Sequence, residues 1–293
     1  MAMKNKDFAV FILTHGRPDN VITLKTLKHQ GYTGPVYFVI DNEDEAAEAY
    51  YKRFGRDKVF MFDKKGYADQ VDEGNNFDER RTITHARNAC FDIARQIGVT
   101  YFMQLDDDYI GFEFRINQKK QYPIGKVSVL TKLDHVFYSI LKFYKKTSAK
   151  SIAMSQGGDW VGGSQSDLAQ YPLKRKCMNS FICSTERPFR FVGAMNEDVN
   201  TYTTLGSRGD VFFTVFFVML KQKPTQSQSG GITDMYLSYG TYVKSFTTVM
   251  MMPSCVRVAP MGNIHKRLHH KIKWKNCVPR IIKEEYRKTV KQS

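Results

Sequence analysis

No stretch of this 293-residue sequence is apolar for long enough to cross a bilayer. The longest largely apolar run, Val211 to Leu220 with Thr214 inside it, is ten residues, where a spanning helix needs about 20. The opening MAMKNKDFAV has no apolar segment followed by small residues, so no secretory leader is expected. Five cysteines occur, Cys90, Cys177, Cys183, Cys255 and Cys277, an odd number with no CxxC pair. That argues against a disulfide scaffold and for reduced thiols. Neither an internal repeat nor a low-complexity linker interrupts the chain, so one composite domain over 1–293 is expected. No GxGxxG follows the first predicted strand, which disfavours an ordinary dinucleotide-binding oxidoreductase. These absences point to a soluble cytoplasmic protein, with no membrane partner and no obligate protein partner evident.

What is present is a foldable core and a segregated charge. Apolar residues make up 42% and aromatics 13%, enough to bury a core rather than remain disordered. The net charge is +15. Residues 1–110 carry 15 Lys/Arg against 18 Asp/Glu, and residues 111–293 carry 29 against 11. The last stretch, 257–293, holds 11 basic residues against Glu284 and Glu285 alone. Such asymmetry suits a second half that meets an anionic partner, nucleic acid foremost. A merely basic soluble surface is the alternative.

Periodicity predicts the layout of the first half. FAVFIL (8–13) reads as a buried parallel strand, and 21–31 as a helix closed by Gly31. PVYFVI (35–40) reads as a second strand, 43–56 as a helix, and 58–62 as a third strand. Residues 63–79 are polar and read as a loop. A helix over 82–96 and a fourth strand over 100–105 follow. Alternating strands and helices predict an α/β fold with a mostly parallel sheet. Beyond it, 130–144 reads as a helix, 151–155 as a strand, and the tail after Trp274 as a surface helix.

Chemistry concentrates at two places. QLDDDY puts Asp106, Asp107 and Asp108 at the end of the fourth strand. Ligands of open parallel sheets bind at the carboxyl ends of strands. Three adjacent carboxylates repel one another unless a cation sits between them, and hard oxygens suit Mg²⁺ or Mn²⁺. Asp108 is the expected direct ligand, and Asp106 would contact metal or ribose. A solvated acidic turn is the alternative. One helix upstream, RRTITHARNA offers Arg80, Arg87 and Asn88 to a diphosphate or to sugar hydroxyls. A solvated helix face is the alternative there.

Here a resemblance enters. Thr-His-Gly-Arg-Pro after the first strand, Asp41 after the second, and THARNACFDIARQIGVTYFMQLDDDY resemble the nucleotide-sugar half of GT-A glycosyltransferases. In the second half, MNEDVNTYTTLGSRGDVFFT, KPTQSQSGGITDMY, GTYVKSF, MPSC and RLHHKIKW resemble the TET/JBP-associated glycosyltransferases, a family with phage members. The resemblance implies a GT-A, Rossmann-like fold, with a nucleotide-sugar half (1–110) and a basic acceptor half (111–293). It implies Mn²⁺ or Mg²⁺, a UDP-sugar donor, and an acceptor hydroxymethyl group on a modified pyrimidine in DNA, hydroxymethylcytosine or hydroxymethyluracil. If the chain is phage-encoded, the expected location is the host cytoplasm.

Residue by residue, the resemblance implies that Thr14, Arg17 and Asp41 contact the nucleoside. Arg87 and Asn88 would meet the diphosphate-sugar, and Asp107 belongs with the nucleotide-sugar contacts. Asn196-Glu197-Asp198 matches the acidic element near the acceptor. Asp198 would be the base and Glu197 its reserve, with Asp210 a weaker candidate. A helix cap at Asp198 is the alternative. His269 or His270, with His265 in reserve, matches the histidine that completes the metal shell in many GT-A enzymes. A phosphate-facing patch is the alternative. Lys271 and Lys273 would meet phosphates. Trp160, Tyr202 and Trp274 would stack on an extruded base or pack in the core. Two rival functions remain open: transfer to a protein or small-molecule acceptor, and a catalytically dead fold that binds nucleic acid.

Overall fold

Alternate residues of the first strand face opposite sides, and both sides are buried. The computed structural model describes residues 7–72, 80–115, 128–157, 180–223, 240, 242–261 and 266–286. In β1 (Phe8–Leu13), Phe8, Val10 and Ile12 enter one core, and Ala9, Phe11 and Leu13 enter another. A strand covered on both faces reads as an uninterrupted apolar run, which is what FAVFIL is.

β1 leads through α1 (Ile22–His29) to β2 (Val36–Asp41), then through α2 (Ala47–Phe54) to β3 (Val59–Phe62). The short α3 (Lys64–Ala68) and the longer α4 (Thr84–Gln96) carry the chain to β4 (Tyr101–Asp106). The predicted loop over 63–79 therefore contains one helix, α3, held by Tyr67 packing edge-on against Phe62. Then follow β5 (Tyr109–Phe114), β6 (Ser128–Val129), α5 (Leu133–Lys145), β7 (Ser151–Gln156), β8 (Ile182–Ser184), α6 (Glu197–Ser207) and β9 (Phe212–Gln222). The chain continues through α7 (Val243–Met251), the hairpin β10 (Val256–Met261) and β11 (Arg267–Ile272), and the one-turn α8 (Trp274–Cys277).

Nine strands form one sheet in the order β3-β2-β1-β4-β8-β7-β9-β5-β6. β1, β2, β3 and β4 are parallel neighbours. β8 and β5 run against the rest, so seven of the nine strands share a direction. The predicted α/β class with a mostly parallel sheet flanked by helices is the observed one. α1, α2 and α5 bury Leu27, Tyr50 and Phe137 on one face, and α4 buries Ala89, Cys90 and Ile93 on the other. No described helix is long and apolar enough to cross a membrane.

The tail departs from expectation. Past Trp274 the described residues hold only α8 and a 3-10 turn at Glu284–Tyr286. RLHHKIKW lies largely on a strand: β10 and β11 pair antiparallel, and period-two alternation puts Val256 and His270 inward. Five residues separate the two strands, so the two-residue spacing that marks a tight hairpin is not met in the sequence.

Candidate active site at the strand ends

The register of the parallel half brings four strand ends together. Leu13 pairs with Asp106, and Asp41 pairs with Phe62. Thr14–Arg17, Asp41–Asp44, Lys64 and Asp106–Asp108 therefore emerge on one edge. The chain leaves β1 toward β2 and β3, then returns to β4 on the other side of β1. That reversal is the switch point where open α/β sheets hold ligands.

Each of the three adjacent aspartates faces different partners. Asp106 Oδ1 accepts from Arg87 Nη2 at 2.9 Å. Asp107 Oδ2 accepts from Thr14 Oγ1 at 2.7 Å and lies 3.2 Å from Arg17 Nη2. Asp108 accepts from Gln222 Nε2, 3.1 Å from each carboxylate oxygen. All three carboxyls are held above the usual range, chiefly by burial. Neighbouring aspartates push the same way, while Arg87 opposes at Asp106, Arg17 at Asp107 and Gln222 at Asp108. Burial and mutual repulsion both disfavour three charged carboxylates in one turn, so an added cation would stabilise their charged forms.

Asp107 is the buried tether of the group. Through Thr14 and Arg17 it fixes the segment that follows β1. Tyr50 completes the tie: its hydroxyl accepts from the Arg17 N–H and bonds Thr14 Oγ1, both at 2.8 Å. Thr14 is thus engaged on two sides by protein groups.

Around Asp41 the sequence indicated only part of the network. His15 Nδ1 lies 2.7 Å from Asp41 Oδ2, and Lys64 Nζ lies 3.3 Å from Oδ1. Burial alone would raise the Asp41 carboxyl, but the bonds from His15 and Lys64 hold it below its ordinary value. The same His15–Asp41 bond raises the His15 pKa against the opposing effect of burial. Asp44 accepts from the Gly16 N–H at 2.8 Å, and Glu43 pairs with Arg80 at 2.9 Å. His15, Asp44, Tyr50 and Lys64 escaped the sequence reading. His15 lies within the Thr-His-Gly-Arg-Pro segment that carries the resemblance.

Arg87 is fully enclosed, with Nε on Glu197 Oε1 and Nη2 on Asp106 Oδ1, each at 2.9 Å. Its guanidinium also lies 5.3 Å from the ring centroid of Phe181. Both carboxylates weigh on it from opposite sides and keep it charged despite burial. Asn88 is committed as well: its amide bonds both the N–H and the carbonyl of Phe191, at 2.8 and 3.1 Å. Arg87 and Asn88, expected beside a diphosphate, bond protein groups of the 181–197 segment, and Arg87 also bonds Asp106.

The acidic element opens α6. The helix begins at Glu197, with Asn196 in the left-handed region at φ 56°, a conformation asparagine tolerates. Asn196 Nδ2 donates to Lys244 O and Thr248 Oγ1 at 2.8 Å, and lies 3.4 Å from His270 Nδ1. Asp198 is buried in the first turn, its Oδ1 accepting from the Val199 N–H at 2.8 Å. Lys244 stands near Asp198 and Glu197; burial lowers its pKa, and those carboxylates counter the fall. Asp210 bonds Lys283 Nζ at 2.8 Å instead.

Among the described residues, no group of three His, Cys, Asp or Glu side chains could hold a metal ion. His270 faces Asn196, and His269 lies on the other face of β11. Trp274 stacks on the buried Tyr202, ring centroids 5.8 Å apart and planes 9° from parallel. Lys271 and Lys273 are exposed on the ribbon and just past it. Trp160, Cys177 and His265 lie outside the described residues.

Among solved structures, glucosyl-3-phosphoglycerate synthase from Mycobacterium tuberculosis resembles the chain in several complexes. With Mn²⁺, UDP and phosphoglyceric acid it shows 9% identity and a TM-score of 0.47, over 92% of this chain and 87% of that one. With Mg²⁺ and UDP the values are 9% and 0.48, over 93% and 92%. With Mn²⁺ and UDP-glucose they are 9% and 0.45, over 94% and 95%. At these scores nothing about this chain's chemistry follows from them. Comparison with curated proteins finds no match. The family model for TET-associated glycosyltransferases matches residues 8–231, most of the chain with both the aspartate turn and the Asn196–Asp198 element inside it. The chain belongs to the TET-associated glycosyltransferase family.

Proposed function

We propose that this glycosyltransferase moves a sugar from a nucleotide-sugar, a UDP-sugar by preference, to the hydroxymethyl group of a modified pyrimidine in DNA. The observation that carries the donor half of the reading is the cluster of strand ends, where the half-buried Asp106 and Asp108 flank Asp107 in the turn after β4 beside Thr14, Arg17 and Asp41. Family membership supports transfer of a sugar. The charge of residues 111–293, 29 basic against 11 acidic, supports a polyanionic acceptor.

Asp106 and Asp108 would hold Mn²⁺ or Mg²⁺. Two carboxylates suffice for an ion that takes its remaining oxygens from water and substrate phosphates. Such an ion would stabilise the diphosphate as it leaves. Asp107, with Thr14 and Arg17, positions the segment that would line the nucleoside. Asp41, with its His15 and Lys64 partners, would read the base or ribose edge. Arg87 and Asn88 act through their neighbours: Arg87 holds Asp106 and Glu197 at fixed separation, and Asn88 fixes the chain at Phe191. Asp198 is the proposed base that takes the acceptor hydroxyl proton in an inverting reaction, with Glu197 held by Arg87. Nucleoside and acceptor halves, 1–110 and 111–293, share one sheet.

The test incubates the protein with a panel of UDP-sugars, Mn²⁺, and duplex DNA containing hydroxymethylcytosine or hydroxymethyluracil. Mass spectrometry of the digested nucleosides should show a sugar increment that disappears in Asp108→Ala. UDP release without any change to DNA would retain the donor reading and reject the acceptor.

A further inference from the structure

The β10–β11 ribbon has two chemically different faces. Val256 and His270 are buried, and Val256 joins Cys255, Cys277, Ile272 and Trp274 in a small apolar cluster. Opposite them, Arg257 pairs with Lys271, Ala259 with His269, and Met261 with Arg267. Arg257, Arg267 and Lys271 are exposed, and among the described residues none of them pairs with a carboxylate. Like charges directly opposite on paired strands are destabilising. Arg257 faces Lys271 across the ribbon, and among the described residues no carboxylate pairs with either. A cleft of about 460 Å³ opens at the base of the ribbon, lined in part by Ser254, Arg257, Lys271 and Lys273.

We infer that this outward ribbon face is a docking surface for duplex DNA, with Arg257, Arg267 and Lys271 on its phosphates. The inference rests on the DNA-acceptor reading and adds to it the element that grips the duplex. Two antiparallel strands lie about 4.8 Å apart, and a two-stranded ribbon fits the roughly 12 Å major groove. Three cations on one face supply the backbone contacts that fix register and orientation. The ribbon also adjoins the acidic element: His270, on its inward face, lies 3.4 Å from Asn196, the residue before Glu197. The inward face thus anchors the ribbon at the acidic element, while the outward face carries the cations.

The test measures binding of a short unmodified duplex by fluorescence anisotropy as salt is varied between about 50 and 200 mM. The variant R257Q/R267Q/K271Q removes three ribbon cations without touching the inward face. The control variant K132Q/K142Q/K146Q removes three exposed cations at and around α5. Thermal melts of both exclude unfolding as the cause of any weakening. The ribbon variant should bind more weakly, with its log-log salt slope shallower by about 3, close to 0.9 for each phosphate no longer neutralised. The control should track the wild type. Equal weakening in both variants, or an unchanged slope in the ribbon variant, would overturn the inference. So would equal affinity for single-stranded DNA, or equal competition by polyglutamate. Ribbon-dependent duplex binding with no sugar transfer to any modified duplex would reject the acceptor reading alone. Transfer to DNA with an unchanged slope in the ribbon variant would reject the ribbon alone.

Discussion

Arg87 Nη2 lies 2.9 Å from Asp106 Oδ1, and the same guanidinium holds Glu197 through Nε. One buried cation thereby joins the aspartate turn at the end of β4 to the acidic start of α6. Removing it would leave two buried carboxylates without their counter-charge. Arg87→Met is therefore expected to lose roughly 3–5 kcal/mol in urea unfolding. Arg87→Lys should recover only part of this, since a single ammonium lacks the forked geometry that serves both carboxylates. A loss under about 0.5 kcal/mol in Arg87→Met would place the residue among ordinary surface positions and remove it from this role.

Asp107 and Asp108 are adjacent yet should fail differently. Asp107→Asn weakens the ties to Thr14 and Arg17, so stability and donor KM should suffer together, with a stability loss of about 1.5–3 kcal/mol for charged hydrogen bonds. Asp108 bonds only Gln222 among the described residues, so Asp108→Asn should melt near the wild type. Its Mn²⁺ affinity with UDP present, measured by calorimetry, should fall sharply. Equal metal affinities in the two variants would end the assignment of Asp108 as a ligand.

The His15–Asp41 pair predicts a pH signature. A histidine whose folded pKa is raised adds stability that is complete below about 6.5 and fades as pH climbs through the folded value. Asp41 is lowered, so its contribution is present above about 3.9 and fades as pH falls through its folded value. The pair is accordingly strongest between these limits, in mildly acidic solution. NMR titration of His15 should give a midpoint above the ordinary value that drops toward it in Asp41→Asn. An unmoved midpoint would mean that the pair does not form in solution.

The sheet was legible because its first four strands are short, mainly apolar runs punctuated by polar strand ends. That Asp106–Asp108 end a strand was legible because QLDDDY passes abruptly from apolar to charged residues. Partner choice was not legible. Nothing in the order Asp106-Asp107-Asp108 says that the middle residue turns to Thr14 and Arg17, because that depends on the β1–β4 register. The protein partners of Arg87 and Asn88 were not legible either, since a helix shows its sequence but not its azimuth. Gln222 lies 114 residues from Asp108, a pairing only the tertiary fold reveals. The ribbon was hidden because His269 and His270, adjacent in sequence, fall on opposite faces of a strand.

Two aspartates competed for the role of base, and their surroundings separate them. Asp210 is buried against Lys283 at 2.8 Å, which commits it to holding the tail beside α6. Asp198 lies in the first turn of α6, one residue from Glu197 and near Lys244, on the side joined to the aspartate turn through Arg87. Asp198→Asn should keep the fold and lower kcat by about 10²–10⁴, the contribution typical of a general base. Asp210→Asn should cost about 1.5–3 kcal/mol of stability, the value of a hydrogen bond to a charged group, with kcat unchanged. Asp198→Asn should also leave donor KM nearly unmoved, because the residue acts on the acceptor. A kcat loss confined to Asp210→Asn would reverse the two roles, and the Lys283 contact would then have to open during turnover.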